Sequence, residues 1–135
     1  MERRVEVFFY GLFMDADALR EKGFHPANAR QASVQDLALH LGKRATLVPD
    51  RGGRVHGMLM DLTHAELDRL YADPSVQAYR PEPVIASLMD GSIVAALCFN
   101  LPAVPAEVQS NLEYAGKLRI VAKRMGLPES YIASI

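Results

Sequence analysis

The chain has 135 residues, half of them hydrophobic, and carries a net charge of −1 with acids and bases evenly mixed. This length and composition predict one ordinary domain, spanning residues 1–135, with enough apolar side chains for a real core. The balanced charge excludes the strongly basic surfaces of proteins that bind nucleic acid or anionic membranes. No apolar run reaches the about 18 residues of a membrane span and no signal peptide is recognisable, so a soluble, cytoplasmic protein is expected.

The first element is a strand from Val5 to Tyr10 that ends abruptly at Gly11. A short run rich in aromatic residues is typical of a buried strand, and a glycine after it permits positive φ or close approach to a ligand. A short helix is predicted to start at Asp15. This order of strand, glycine and helix can direct backbone N–H groups at a carboxylate or another anion. Alternatively, it is only a tight turn that leaves a core strand.

The next part of the chain predicts a hairpin. Residues 29–41 lack a good helix cap and are compatible with a helix or a strand. Strands are predicted at 44–48 and 54–61, joined by turn-forming residues at 49–53. Gly57, in the second of these strands, is a candidate bulge or a point of close approach.

A capping box predicts a helix in the middle of the chain. Thr63 is its N-cap, Glu66 follows three residues later, and the helix should run through about Tyr71. A second hairpin is predicted over residues 84–100, because Asp90-Gly91 suits a two-residue type I′ turn.

The last predicted element is an amphipathic helix. Pro105 fits its first position, Gly126 its C-terminal cap, and Pro128 can start a final helical turn through Tyr131. Apolar residues recur at three- and four-residue spacing and predict an inward-facing stripe: Val108, Leu112, Ala115, Leu118, Ala122 and Met125.

Few residues carry a signature of metal, redox or nucleotide chemistry. The single cysteine, Cys98, excludes an intrachain disulfide and lies in an apolar run typical of a buried thiol. The four histidines are too scattered for a metal signature, and no GxSxG, P-loop or GxGxxG motif is present. We therefore expect no metal.

Three segments, in this order, resemble the γ-glutamylcyclotransferase-like superfamily. Phe9–Asp15 resembles its opening Tyr-Gly-(Ser/Thr)-(Leu/Asn) motif, Val55–Leu59 its second glycine-containing strand, and Glu66–Tyr71 the start of its Leu-Asp-x-x-Glu helix. The resemblance favours a strand at 29–41 and implies an α+β fold. That fold is a small mixed, partly closed β-barrel with a cavity, of about five to seven strands, with a long C-terminal helix packed against it.

The resemblance also implies an activity, the cyclisation of a γ-glutamyl amide to 5-oxoproline and a free amine, with no cofactor. Leu12 stands where the family motif usually has a hydroxyl residue, so only its backbone is a candidate ligand there. The ligand is a small molecule with a γ-glutamyl group, and its α-carboxylate would be held by the backbone of the loop. The substrate-binding candidates are Tyr10, Gly11, Leu12, Phe13, Met14 and Tyr114.

The acid/base residue departs from the family pattern. The position of the family's glutamate is taken by Tyr71, whose phenol, with a reference pKa near ~10, is a poor base at neutral pH. The catalytic candidates are therefore the nearby carboxylates Asp73 and Glu82, although each is alternatively a solvated surface acid. Two other functions stay open: a non-catalytic small-molecule binder, or an interaction domain on the same fold.

Overall fold

The strands form a barrel with helices packed against it. The computed structural model describes residues 2–103 and 111–135. The five strands close in the order β1-β3-β2-β4-β5, with β1 and β5 parallel and the other neighbours antiparallel. The expected α+β barrel of five to seven strands is confirmed. The elements, in chain order, are β1 (Arg4–Phe9), a 3-10 turn (Leu12–Met14), α1 (Ala16–Glu21), β2 (Ala27–Leu41), β3 (Ala45–Thr63), α2 (His64–Leu70), β4 (Arg80–Leu88), β5 (Ile93–Asn100), α3 (Leu112–Arg124) and α4 (Glu129–Ser134).

Strand β1 is buried on both faces and separates two parts of the core. Val7 and Phe9 pack with buried residues of the helices, among them Leu118 of α3. Phe8 and Tyr10 belong to the second cluster, which consists of side chains from the strands. A strand covered on both faces needs an almost continuous apolar run, which explains the sequence at this point.

The first predicted hairpin is wrong, because the strands predicted at 44–48 and 54–61 are parts of one long strand, β3, and both pair with β2. Residues 29–41 lie in β2, as the resemblance favoured, and the chain reverses at residues 42–44 rather than at 49–53. The residues at 49–53 belong to the long strand β3, where a register shift opposite Asp36 absorbs the extra length. Asp36 has a φ of 64°, and its side chain accepts a hydrogen bond from the Gly52 amide at 3.0 Å. The turn-forming residues therefore make a bulge.

Gly57 is a point of close approach and not a bulge. It pairs in regular register with Ala32 of β2. A Cβ atom at this position would lie 2.2 Å from the backbone oxygen of Phe9, which no side chain tolerates. The glycine thus lets β1 and β3 approach where β1 ends.

The second hairpin is confirmed, but its predicted two-residue turn is wrong. The loop has three residues, 89–91, closed by hydrogen bonds from the Leu88 amide to the Ser92 oxygen (2.8 Å) and from the Gly91 amide to the Leu88 oxygen (3.1 Å). Gly91 has a φ of 87°, whereas Asp90 is not among the residues with positive φ that a type I′ turn requires. The Asp90 carboxylate instead accepts a hydrogen bond from the Ser92 amide at 2.9 Å.

The last long helix begins later than its apolar stripe predicts. Asn111 is the N-cap of α3, and its side chain accepts a hydrogen bond from the Tyr114 amide at 3.0 Å. Leu112 is 77% exposed and therefore does not belong to the inward stripe, whereas the later members Ala115, Leu118 and Ala122 are buried. The predicted start at Pro105 and the stripe residue Val108 lie outside the described residues.

Two further predictions from local sequence are confirmed. The capping box of α2 forms, with Thr63 and Glu66 exchanging hydrogen bonds between side chain and backbone. Cys98 is a buried free thiol. Among the described residues, no helix has both the length and the apolar character that a membrane crossing requires.

Candidate functional site

A cavity of about 350 Å³ lies where β1 ends. It is lined by residues 8–13, by residues 43–45 where the turn leads into β3, by Tyr71 and the loop after α2, by Phe99 of β5 and by Tyr114 of α3. Its volume is at the lower end of the range for small-molecule sites, about 300–1,000 Å³. Segments that are distant in sequence therefore meet at the glycine loop.

Gly11 is required at this point because of a close approach and not because of its φ angle. Its φ of −108° is open to any residue, so the positive φ that its position after the strand permits is not used. A Cβ atom at Gly11 would lie 2.7 Å from the hydroxyl oxygen of Tyr114. The glycine therefore lets the Tyr114 phenol reach the loop.

The four loop amides proposed to hold a carboxylate are not equivalent. The Met14 amide donates to the Gly11 oxygen at 3.0 Å, and the Met14 side chain is buried in the core and does not line the cavity. The Leu12 amide lies against the Tyr114 hydroxyl, a contact that opposes the rise in the Tyr114 pKa caused by burial. The amides of Gly11 and Phe13 donate to no acceptor within the described residues. These two amides are left for a ligand.

The two tyrosines predicted to bind substrate differ in what their hydroxyl groups can do. Tyr10 donates its proton to the Phe99 backbone oxygen at 2.7 Å, and burial raises its pKa far above the usual range. Its ring lines the cavity, but its proton is already used within the barrel. Tyr114 donates to no acceptor in the described part of the chain and therefore has a proton to offer to a ligand.

Aromatic rings form much of the cavity wall. Tyr71 stacks on Phe99 with ring centroids 3.9 Å apart and an angle of 11° between the planes. Burial raises the pKa of Tyr71 well above its usual range, so the phenol is neutral at physiological pH, where it can donate a hydrogen bond but does not act as a base. Burial also raises the pKa of Tyr79 to about 12, and the Tyr79 hydroxyl donates to the Ala45 oxygen.

Neither predicted catalytic carboxylate lies in the cavity. Asp73 is exposed, and its Oδ1 atom accepts hydrogen bonds from the Ser75 hydroxyl (2.7 Å) and amide (2.9 Å), which lower its pKa. The loop after α2 turns so that Ser75 and Val76, and not Asp73, line the cavity. Glu82 is exposed on β4 and lines a different groove, together with residues of β2 and β3.

The charged lining residues are cationic. Lys43 and Arg44, both exposed, stand in the turn between β2 and β3, and no carboxylate is found among the described residues that line the cavity. Sequence reasoning missed this pair, together with Tyr79 and Phe99. Two adjacent cations after Gly42 would have been a usable signal only if the chain had been predicted to reverse there. Within residues 2–103 and 111–135, no three His, Cys, Asp or Glu side chains cluster as metal ligands would.

A match to a family profile identifies the family of this chain. The profile described as γ-glutamyl cyclotransferase, AIG2-like, matches residues 7–117. The chain belongs to this family. The matched region includes the second half of β1, the glycine loop, strands β2 to β5 and Tyr114, and thus every described segment that lines the cavity.

Solved structures share the fold at low sequence identity. A γ-glutamyl cyclotransferase superposes with a TM-score of 0.78 at 18% identity, over 98% of this chain and 86% of its own. An uncharacterised protein from Homo sapiens gives 0.76 at 20% identity, with the same coverages of 98% and 86%. YkqA from Bacillus subtilis gives 0.78 at 22% identity over 98% of this chain, which spans about half (53%) of that longer protein. No curated protein matches the chain significantly.

Proposed function

We propose that the cavity binds a γ-glutamyl amide and that this family member cyclises it to 5-oxoproline and a free amine. The observation that carries the ligand assignment is the loop after β1, where the amides of Gly11 and Phe13 have no acceptor among the described residues. Neighbouring backbone N–H groups in a loop, without acceptors of their own, suit a carboxylate. Lys43 and Arg44, which line the same cavity, favour an anion as well. Membership of the family supports the reaction.

The reaction requires few parts. The α-amine attacks the γ-carbonyl carbon, a new C–N bond closes the five-membered ring, and the bond to the leaving nitrogen breaks as that nitrogen takes up a proton. Negative charge develops on the carbonyl oxygen, and neutral phenols are suitable hydrogen-bond donors to it. Tyr71 and Tyr114 both line the cavity and both have raised pKa values that keep them protonated.

The described residues provide no acceptor for the proton that the attacking amine loses. A carboxylate near the amine would normally accept it, but the described lining contains none. We therefore propose that the amine reaches the cavity already deprotonated, with solvent as the acceptor. Turnover should then rise about tenfold per pH unit up to the pKa of the amine, which lies above the ~8 of a peptide's terminal amine because a carboxylate stands beside it instead of an amide.

Binding and turnover can be tested on the purified chain. Calorimetric titration with glutamate, 5-oxoproline and γ-glutamyl amino acids should detect binding, and release of 5-oxoproline should report turnover. Gly11→Ala should weaken binding about tenfold, since its methyl group would collide with the Tyr114 hydroxyl and push it across the loop. Gly116→Ala is the matched control, because nothing lies within 4 Å of the added carbon. If none of these compounds binds, the ligand assignment is wrong.

A second function is binding without catalysis, which the same cavity would support because two loop amides have no described acceptor and the described lining contains no carboxylate. In that case γ-glutamyl compounds bind, yet no 5-oxoproline is released at any pH between about 7 and about 9.5, the range in which the α-amine loses its proton.

A further inference from the structure

The aromatic surface of the cavity is larger than a γ-glutamyl group alone requires. The Phe13 ring meets Tyr71 edge-on, with centroids 6.2 Å apart and an angle of 83°. Tyr71 also stacks on Phe99 at 3.9 Å and lies 6.4 Å from the Tyr79 ring. All four rings line the cavity. A γ-glutamyl group is a polar chain with only two methylenes between its carbonyl and its α-carbon, so such a wall suits the other part of the ligand.

Two cations are held beside this wall. Lys43 and Arg44 line the same cavity, and neither forms an ion pair with a described side chain. Hydrogen bonds attach their turn to the rest of the site: Tyr79 donates to the Ala45 oxygen, and the Asn111 side chain donates to the Gly42 oxygen at 3.2 Å. The positive charges thus lie at the edge of the aromatic wall. No described carboxylate lines the cavity and could neutralise them.

This charge distribution selects between kinds of amine. A leaving amine that carries an additional ammonium group and no carboxylate, such as a polyamine, would meet two unopposed positive charges. An α-amino acid as the leaving amine presents a carboxylate instead, which Lys43 and Arg44 can pair with. An aromatic side chain on that amino acid would bury its ring against Tyr71 and Tyr79.

We propose that the ligand is a γ-glutamyl conjugate of an aromatic α-amino acid with a free carboxylate, the class of which γ-glutamyl-phenylalanine is the simplest member. The inference rests on the proposed function and narrows it. The α-carboxylate of the glutamyl group takes the amides of Gly11 and Phe13. The second carboxylate lies between Lys43 and Arg44, and the aromatic ring lies on the wall.

Calorimetric titration of the full chain with four compounds tests each part. γ-Glutamyl-phenylalanine should bind about tenfold or more tightly than γ-glutamyl-alanine, because burial of the ring removes apolar surface from water. It should bind about three- to tenfold more tightly than its C-terminal amide, which lacks the second charge. A γ-glutamyl conjugate of a polyamine, such as γ-glutamyl-putrescine, should bind most weakly, because it carries an additional ammonium group and no second carboxylate.

Two variants assign the second carboxylate to its partners. The double variant Lys43→Ala/Arg44→Ala should bind the acid and the amide equally, while Arg51→Ala, an exposed arginine that does not line the cavity, should retain the difference. Raising the salt concentration from about 0.05 to about 0.5 M should reduce the same difference in the wild type, since exposed charges are screened.

The outcomes separate this inference from the proposed function on which it depends. Equal affinity for the acid and its amide overturns the pairing with Lys43 and Arg44, and equal affinity for the phenylalanine and alanine compounds overturns the aromatic assignment. In both cases γ-glutamyl compounds still bind, so the proposed function stands. If no γ-glutamyl compound binds, the proposed function is overturned, and the inference with it.

Discussion

The two ends of helix α2 use polar side chains in opposite ways. At its N-terminus, the Glu66 carboxylate is buried and accepts hydrogen bonds from the Thr63 amide and hydroxyl, each at 3.1 Å, and from the His25 amide at 2.6 Å. At its C-terminus, Tyr71 places its ring on Phe99 and lines the cavity, and its hydroxyl bonds to no described residue. One end satisfies its polar groups within the fold, and the other leaves a donor for a ligand.

This difference separates stability from function within one short element. A carboxylate with three donors cannot also serve a substrate, so Glu66 is a structural acid. An unused neutral phenol in a cavity costs little when the ligand or water completes its hydrogen bonds, and it is available for recognition. Removing the buried carboxylate should therefore change stability and spare ligand binding, whereas a change at the cavity end should alter function.

Placing a carboxylate at the cavity end should have the largest effect. Tyr71→Glu introduces the acid at the position where the resemblance places the family's glutamate. It should increase 5-oxoproline release at neutral pH by about a hundredfold or more, the usual contribution of a positioned general base. The free energy of unfolding should fall by about 3–5 kcal/mol, because the stacked ring is lost and a charge is buried.

Tyr71→Gln is the matched control for this gain. It should lose a similar amount of stability in urea unfolding without any gain in 5-oxoproline release, since an amide does not accept the amine proton. A folded Tyr71→Glu variant that is no more active than Tyr71→Gln would show that the base in this family member belongs elsewhere.

Removing the carboxylate at the structural end should affect stability alone. Glu66→Ala leaves the His25 amide and the Thr63 amide without their buried acceptor, which should cost about 2–3 kcal/mol in the free energy of unfolding. The affinity for γ-glutamyl ligands should be unchanged at temperatures where the variant is folded. Glu113→Ala, which removes an exposed glutamate of α3, is the control and should leave the urea midpoint nearly unaltered.

The stability contributed by Glu66 should depend on pH in one direction. Burial alone would raise the Glu66 pKa, but the hydrogen bonds from His25 and Thr63 together outweigh burial and lower it. The stabilisation is therefore present above the pKa of the unfolded chain, near ~4.3, and is lost as pH falls through the lower folded value. Acid unfolding of Glu66→Gln should accordingly show a smaller loss of stability below about pH 4 than the wild type.

Local sequence was sufficient for α2 and not for the strands. The capping box depends on two residues three apart, and such a contact can be predicted from spacing alone. The reversal at 42–44 could not, because residues 49–53 have turn-forming composition and the packing of β2 on β3 converts them into a bulge. Because of the same error, the sequence did not predict that Lys43 and Arg44 line the cavity: a strand was expected from Arg44, and no reversal of the chain there.

The candidate site, too, could be predicted only where its residues are neighbours in the sequence. The glycine loop could be found because it is contiguous and its glycine is conspicuous in the sequence. The aromatic wall could not, because Phe13, Tyr71, Tyr79 and Phe99 come together only when the barrel closes. Which loop amides are free also depends on a distant side chain, that of Tyr114.

The loss of stability at alkaline pH should show how strongly burial favours the neutral form of the Tyr79 phenol. Burial raises the pKa of Tyr79 to about 12. Since the unfolded phenol ionises near ~10, stability is fully present below that pH and is lost as pH rises towards 12. Tyr79→Phe should lose about 1 kcal/mol at neutral pH, because the bond to the Ala45 oxygen is removed, and its stability should then decline less steeply above pH ~10. Identical alkaline slopes in the two proteins would contradict this role of burial.

The smallest effect is expected from Asp73→Asn. The Asp73 side chain is exposed and lies outside the cavity, and asparagine keeps an oxygen that can accept from the Ser75 hydroxyl and amide. We therefore expect the melting temperature at neutral pH, the ligand affinity and any 5-oxoproline release to equal those of the wild type. Glu82→Gln, on the separate groove, should behave in the same way. Loss of turnover in Asp73→Asn with ligand affinity retained would mean that the loop after α2 turns inward during the reaction. In that event the catalytic carboxylate would follow the helix, two residues beyond Tyr71, and the cavity end of α2 would supply a base after all.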